Sequence, residues 1–194
     1  MRRLSVGSAM FSRYRLLILG SLIWIVLDQW SKIAMVDWLV KGDLPETAAM
    51  IRSEVHTVSE TWFKFRVVGN PGAAWGMFRA LPDWARVPFF VVITSAALWF
   101  MLHFYKQARP DQLRYRLALT CIVGGAIGNL IDRLYVGYVI DFVEWFYGDF
   151  RWPNFNVADV AISVGVGLLA LEILFEKKPA TDSESSDTAP GAGT

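Results

Sequence analysis

LALTCIVGGAIGNLIDRLYV, residues 117–136, is the stretch on which the architecture turns. Its first fifteen residues, Leu117 to Ile131, carry no charge, and Asp132 and Arg133 then close it. A helix needs about 20 residues to cross the roughly 30 Å hydrocarbon core of a bilayer. Working outward, three further runs meet that requirement: about Leu16 to Val36, about Val87 to Tyr105 and about Val157 to Phe175. Four such runs in 194 residues leave too little polar chain to cover them in water. The pattern predicts an all-α membrane protein built as a four-transmembrane-helix bundle. The first run follows Arg2, Arg3, Arg13 and Arg15, as a leader would, but it is long, contains Asp28 and Lys32, and precedes no convincing small-x-small cleavage site, so it reads as a retained helix.

Composition agrees and excludes several functions. The chain is 54% hydrophobic and 19% charged, against about 45–50% and about 25% in soluble domains. A net charge of +1 gives no footprint for nucleic acid. One cysteine, Cys121, cannot form a disulfide framework, and two histidines, His56 and His103, supply no metal-ligand cluster. No metal and no cofactor are expected.

Basic residues orient the spans. Four arginines lie in the N-terminal flank, and Lys106, Arg109, Arg114 and Arg116 lie between spans two and three against Asp111 alone. Lys177 and Lys178 follow the fourth span. These segments are expected in the cytoplasm, with residues 37–86 outside, where six basic residues are diluted by acids. In that outer loop Thr61 to Val68 alternates bulky and polar side chains and reads as a strand. Leu81 to Arg86 reads as a short interfacial helix beginning at Pro82. Seven of the nine tryptophans (Trp30, Trp38, Trp62, Trp75, Trp84, Trp145, Trp152) fall in or near the outer segments, where indole rings anchor in the headgroup layer. Residues 1–15 form a basic cytoplasmic N-terminus, residues 16–175 the membrane domain, and residues 176–194 a polar cytoplasmic tail without apolar residues for a core, expected to be disordered.

Ionisable side chains inside spans cost about 2.5–3.5 kcal/mol each on insertion scales, so each invites a functional reading. Asp28 and Lys32 are four apart and share a helix face, which suits a structural ion pair as well as a functional one. Gly124 and Gly128, like Gly125 and Asn129, have the spacing that lets helices approach closely; taken alone this is a packing motif, with Asp132 and Arg133 ending the span at the outer surface. Asp141 lies just past the third span and Asp159 opens the fourth. The aromatic loop between them, Val143 to Phe155, can fold back and bring both carboxylates to one depth. Asn156 and Asp159 are three apart at a helix start, so capping explains Asp159 equally well. Asp141 has no such explanation. Two carboxylates facing each other in an apolar site hold one proton between them. The ionised member can then activate water while the protonated one polarises a carbonyl. Ser95 and Ser163 lie in spans without a histidine partner.

Asp28-x-x-x-Lys32, Asn70-Pro71-Gly72-Ala73-Ala74-Trp75-Gly76, Gly124 to Arg133, Val139 to Phe142 and Phe155 to Asp159 stand in an order that resembles the lipoprotein signal peptidases (signal peptidase II), over about residues 16–175. The resemblance implies a bacterial inner-membrane aspartic endopeptidase, multi-pass with both termini cytoplasmic. Such an enzyme cleaves prolipoproteins before the diacylglyceryl-modified cysteine at the extracytoplasmic face. It puts Asp141 and Asp159 on the catalytic pair. Asp28, Lys32, Asn70, Gly72, Gly125, Asn129, Arg133, Asn156 and Ala158 fall on positions that shape or support the site, and Asp132 on an aspartate that looks structural. It also implies a small extracytoplasmic β-cradle around Trp62 to Gly76, a mobile interfacial helix at Pro82 to Arg86, globomycin-type inhibitors, contact with membrane lipid, and activity as a monomer. Departures are Trp75 in place of the usual phenylalanine, a longer loop between Asp37 and Thr61, and the added tail. Two rival classes remain open on the residues alone. A small proton-coupled carrier would use the same intramembrane polar groups, although no internal repeat is present. A non-catalytic scaffold would use only the glycine-rich helix.

Overall fold

The computed structural model describes residues 6–72, 77–78 and 81–175. Arg2, Arg3, Ala73 to Gly76, Arg79, Lys177, Lys178 and the rest of the polar tail therefore lie outside the described residues.

Four helices are long and apolar enough to cross a membrane: α1 (Val6–Leu39), α2 (Asp83–Gln107), α3 (Leu113–Tyr135) and α4 (Val157–Phe175). At 1.5 Å per residue even α4 reaches about 28 Å. Their outer faces carry large apolar side chains such as Leu22, Ile23, Val26, Ile33, Val92 and Ile173, all more than half exposed. Such a surface suits hydrocarbon and is untenable in water. The chain is a multi-pass membrane protein.

The third helix is central and packs on the other three. Its small residues divide the work. A Cβ on Gly124 would come within 2.7 Å of the Trp24 Cβ on α1, whereas one on Gly125 would meet the Ala158 carbonyl oxygen and the Ile162 side chain on α4. From α4, Gly165 reciprocates: a Cβ there would lie 2.7 Å from the Ala118 carbonyl oxygen. Without a hydrophobic force between spans, contact this close supplies the van der Waals energy that holds them. Gly125→Ala forces α3 away from the residue that precedes Asp159. The expected result is a loss of about 1–3 kcal/mol of stability, read as a lower thermal midpoint in detergent, together with reduced activity.

At one end of the bundle Arg13 donates to the carbonyls of Lys106 and Ala108, while Arg116 donates to Arg13 O (3.0 Å) and Tyr105 OH (3.1 Å). These bonds tie the start of the first span to the α2–α3 turn. Leu17, Tyr105, Leu119 and Val123 pack just inside them.

The other end carries a four-stranded antiparallel sheet, β1 (His56–Ser59), β2 (Phe63–Asn70), β3 (Val139–Tyr147) and β4 (Phe150–Arg151), in that spatial order. All-α therefore describes the spans only. The segment Val143–Phe155, read from sequence as an aromatic loop, is largely the outer half of β3 and its hairpin with β4. Its β-branched and aromatic side chains favour a pleated surface over an irregular loop. Strand β2 lies two residues later than the sequence reading of 61–68. Leu39, Val67, Tyr138, Ile140 and Phe142 form the core between the end of α1 and the sheet. The expected separate helix at Leu81–Arg86 is absent as such: Pro82 precedes the first turn of α2, which continues unbroken to Gln107. Proline suits a helix start, and nothing after it ends the helix; Pro88 removes one internal hydrogen bond without breaking the run.

Candidate active site

Strand β3 delivers Asp141. It pairs with Val68 across the β2–β3 ladder, two residues from the Asn70–Val139 pair, so Asn70 and Asp141 occupy one face. Asn70 Nδ2 donates to Asp141 Oδ2 at 3.1 Å. Asp141 is 2% exposed.

Helix α4 delivers Asp159 through its cap. Asp159 N donates to Asn156 Oδ1 at 3.0 Å, and Asn156 N donates to Asp159 Oδ2 at 3.2 Å. This reciprocal pair is a capping box, so capping and proximity to Asp141 are both true of Asp159. The remaining Asn156 donor, Nδ2, lies 2.8 Å from Asp141 Oδ1. One asparagine therefore joins the two carboxylates.

Each supporting amide has its direction fixed by a group that can bond only one way. Gly72 N donates to Asn70 Oδ1, which turns the Asn70 amino group onto Asp141. Asp159 N does the same for Asn156. For Asn129 the fixing donors are Lys32 Nζ (3.1 Å) and Asn156 Nδ2 (3.0 Å) on Oδ1, so its amino group faces Asp159 Oδ1 at 2.9 Å. Backbone N–H and ammonium groups cannot accept hydrogen bonds, so flipping any of these amides would set donor against donor.

Beneath this layer Lys32 is 2.8 Å from both Asp28 Oδ2 and Asp132 Oδ2 and is 2% exposed. Asp28 in turn accepts the Ala158 N–H at 2.8 Å, beside Asp159. Gly128 is required here, because a Cβ would lie 2.6 Å from Asp28 Oδ2. Asp132, in the last turn of α3 at the end that carries the sheet, is 4% exposed and accepts the Ile140 N–H at 3.0 Å, which holds the strand next to Asp141. An ammonium on one side and a backbone N–H on the other make burial of that carboxylate tolerable. Arg133 donates to Asn129 O (3.1 Å) and Gly72 O (2.8 Å), with its guanidinium 4.1 Å from the Phe90 ring centroid. All the residues singled out in the sequence thus meet in one network, with Gly125 and Ala158 at the α3–α4 contact that carries it.

Two groups escaped the sequence reading, one inside this network and one outside it. Gln29 Nε2 bridges Asp132 Oδ1 (2.9 Å), Asp28 Oδ2 (3.2 Å) and Gly128 O (3.2 Å); its one signal was being an amide inside an apolar span. Glu144 is buried on the opposite face of β3 among Lys64, Arg66 and Arg151, and charge pairing across strands leaves no periodic trace.

Burial, and after it the neighbouring charge of Asp159, pushes the Asp141 carboxyl up to about 8. Asp141 therefore holds a proton at neutral pH while its neighbour can remain a base. A cavity of about 520 Å3 opens from Asn70 and Asp159, between Trp145 and Trp152 on the sheet side and Val160 and Val164 on α4. A second, about 600 Å3, lies beyond β2 under residues 48–53 and touches neither aspartate.

Known proteins share this fold and much of this sequence. A bacterial membrane enzyme solved by the in meso method at 2.3 Å resolution matches with a TM-score of 0.70 at 24% identity, over 95% of this chain and 98% of that one. A second, solved at 1.9 Å, gives 0.65 at 26% identity over 91% and 98%. The lipoprotein signal peptidase of Anaeromyxobacter sp. (strain Fw109-5) is 38% identical over 83% of this chain and 85% of its own length. That of Syntrophotalea carbinolica is 41% identical over 82% and 91%. A family model described as signal peptidase (SPase) II matches residues 21–175, from the first span to the last residue of the fourth. With the family model and these relatives in agreement over most of its length, the chain belongs to the signal peptidase II family.

Proposed function

We propose that this protein removes signal peptides from prolipoproteins, cutting before the diacylglyceryl-modified cysteine with water activated between Asp141 and Asp159. Family membership supports the reaction. The observation that carries the residue assignment is Asn156 bonded to both carboxylates, one from a strand and one from a helix.

Asp159, which accepts hydrogen bonds on both oxygens, takes a proton from water as the water oxygen attacks the scissile carbonyl carbon. Asp141 gives its proton to the carbonyl oxygen, leaving a neutral gem-diol. Asp159 then protonates the cysteine nitrogen, the C–N bond breaks, and a gem-diol hydroxyl returns its proton to Asp141. The sheet would act as the cradle over the substrate and Trp84 to Arg86 as its boundary anchor, excluding water from the reacting amide. Both termini are cytoplasmic and the site extracytoplasmic in this reading. Supporting it, Arg13 and the basic α2–α3 turn contact each other at the end of the bundle remote from the sheet. One chain supplies every residue invoked, consistent with a monomer, and globomycin-type cyclic peptides are expected to compete for the cavity beside Asp159.

The test is a gel-shift assay of a lipid-modified prolipoprotein with purified protein. A faster-migrating product is expected with the lipidated substrate, insensitive to chelators and serine-directed reagents; cleavage only of unlipidated substrate would contradict the proposal. The pH profile follows from Asp141. Since its folded value is raised to about 8, the single shared proton is present below that pH and lost above it. Cleavage is expected to fall roughly tenfold per unit on the alkaline side. Stability moves the same way, declining as pH rises from the ordinary carboxylate range to about 8, because the folded state binds the proton more tightly than the unfolded one.

A further inference from the structure

The cavity of about 600 Å3 beyond β2 takes no part in the reaction described above. Its charged lining residues are Arg52 and Arg66, and no acid among the described residues lines it. Arg52 has no ion-pair or hydrogen-bond partner among the described residues. Arg66 spends Nη2 on Glu144 Oε2 at 3.1 Å, but Glu144 Oε1 also serves Lys64 (3.2 Å) and Arg151 (3.1 Å). One carboxylate thus answers three cations, and Arg52 adds a fourth positive charge. Such a surplus beside an open cavity suits an anion, and guanidinium forks match the oxygens of a phosphate. The depth of the cavity is fixed by its connections. Ser53, on its wall, bridges to Val40, and Glu54 N donates to Leu39 O at 2.7 Å. The segment 51–54 is therefore stitched to the point where the first span ends. Trp38 and Met50, 51% and 67% exposed, flank that level and suit the boundary between headgroups and hydrocarbon.

We infer that this cavity binds the phosphate of an anionic phospholipid from the leaflet at the sheet end, with Arg52 and Arg66 donating to its oxygens, and that occupancy steadies Asn70. A soluble anion would have no use for the apolar side chains beside the arginines, whereas a phospholipid brings its phosphate to this depth. The link to Asn70 is short. Gly69 and Pro71 both line the cavity, and Asn70 between them donates to Asp141. The β2–β3 register shifts between Phe65 and Val68, and there Val67 N donates to Ser53 Oγ at 2.9 Å. Support for β2 at this irregularity therefore comes from the segment that carries Arg52. A headgroup held by both arginines ties that segment to β2 and stabilises the bound arrangement by linkage. The binding site stands without the peptidase reading; its effect on cleavage rests on that reading.

The experiment uses nanodiscs of phosphatidylcholine alone, or of phosphatidylcholine and phosphatidylglycerol in equal parts. Native mass spectrometry of the released protein reads the phosphatidylglycerol retained. Arg52→Gln removes no protein contact among the described residues and should retain it about fivefold more weakly than wild type. Arg52→Lys, which keeps the charge without the fork, should fall between them. Lys41→Gln is the control for diffuse charge, since Lys41 is paired with Glu54 in the same outer segment and does not line the cavity. Equal retention by wild type and Arg52→Gln, or an equal loss in Lys41→Gln, would overturn the site. The second readout is the ratio of cleavage rates in the two membranes. It should exceed one for wild type and Lys41→Gln and approach one for Arg52→Gln. A wild-type ratio of one despite retained lipid would overturn the link to Asn70. Stimulation in phosphatidylcholine alone by inorganic phosphate would give the cavity to a free anion, and stimulation there by an acidic substrate segment would give it to a peptide; either would overturn the lipid. Absence of cleavage in both membranes would overturn the peptidase reading and leave the binding result standing.

Discussion

Asp141→Asn is expected to lower cleavage by about 10^3–10^4-fold, the span associated with losing a positioned acid–base group. The side chain is isosteric, so the β2–β3 ladder and the core under it remain. What is lost is the proton. An amide cannot pass one to the carbonyl oxygen and recover it, and one of its two faces now sets a donor against Asn70 or Asn156. Asp159→Asn should do comparable harm by removing the base. Asp132→Asn is the control that separates chemistry from architecture. That carboxylate touches Lys32 and the Ile140 N–H, so its replacement should act on stability and leave the remaining folded protein active. The comparison is made by gel shift on equal amounts of monodisperse protein. Activity of Asp141→Asn within tenfold of wild type would remove Asp141 from the reaction.

Lys32→Met carries the largest expected effect on folding. Lys32 is the cation between two buried carboxylates, and without it Asp28 and Asp132 confront each other in a site that water hardly reaches. Breaking a buried pair from one side costs about 3–5 kcal/mol, because an uncompensated charge remains. A further consequence reaches the dyad. The Lys32 bond to Asn129 Oδ1 helps direct the Asn129 amino group at Asp159; without it the amide is freer to turn its oxygen toward that carboxylate. The expected outcome is a large fall in thermal midpoint and folded yield, with kcat reduced in whatever folds. An unchanged midpoint would mean that the ammonium is not what makes the two acids tolerable there.

Much of this was legible in the chain, and the rest failed for identifiable reasons. The spans were visible because hydrocarbon demands long uninterrupted apolar runs, and their ends shifted by only a few residues. Asp28 with Lys32 was visible because helix geometry links positions four apart. Gly124 and Gly125 announced close packing, yet which faced α1 and which faced α4 depends on where the neighbouring helices lie. The bridge from Lys32 to Asp132 joins residues a hundred positions apart, and no local period encodes it. The outer half of β3, from Val143 on, reads as a loop because its aromatic run is equally at home at a bilayer boundary. Asp159 was ambiguous between cap and catalyst. The structure shows the cap, and the same bonds orient the asparagine that faces Asp141; the catalytic part is our proposal.

The central claim is that Asp141 and Asp159 share a single proton. Infrared difference spectroscopy across pH, on wild type and Asp141→Asn, tests it most directly, because a protonated carboxyl absorbs apart from a carboxylate. Asp28, Asp132 and Glu144 are paired with cations, and the Asp141→Asn difference separates their absorption from that of Asp141. The expected result is one buried protonated carboxyl that titrates near pH 8 and is missing from Asp141→Asn. A wild-type spectrum with no carboxyl proton at neutral pH, or a band that survives the substitution unchanged, would contradict the account.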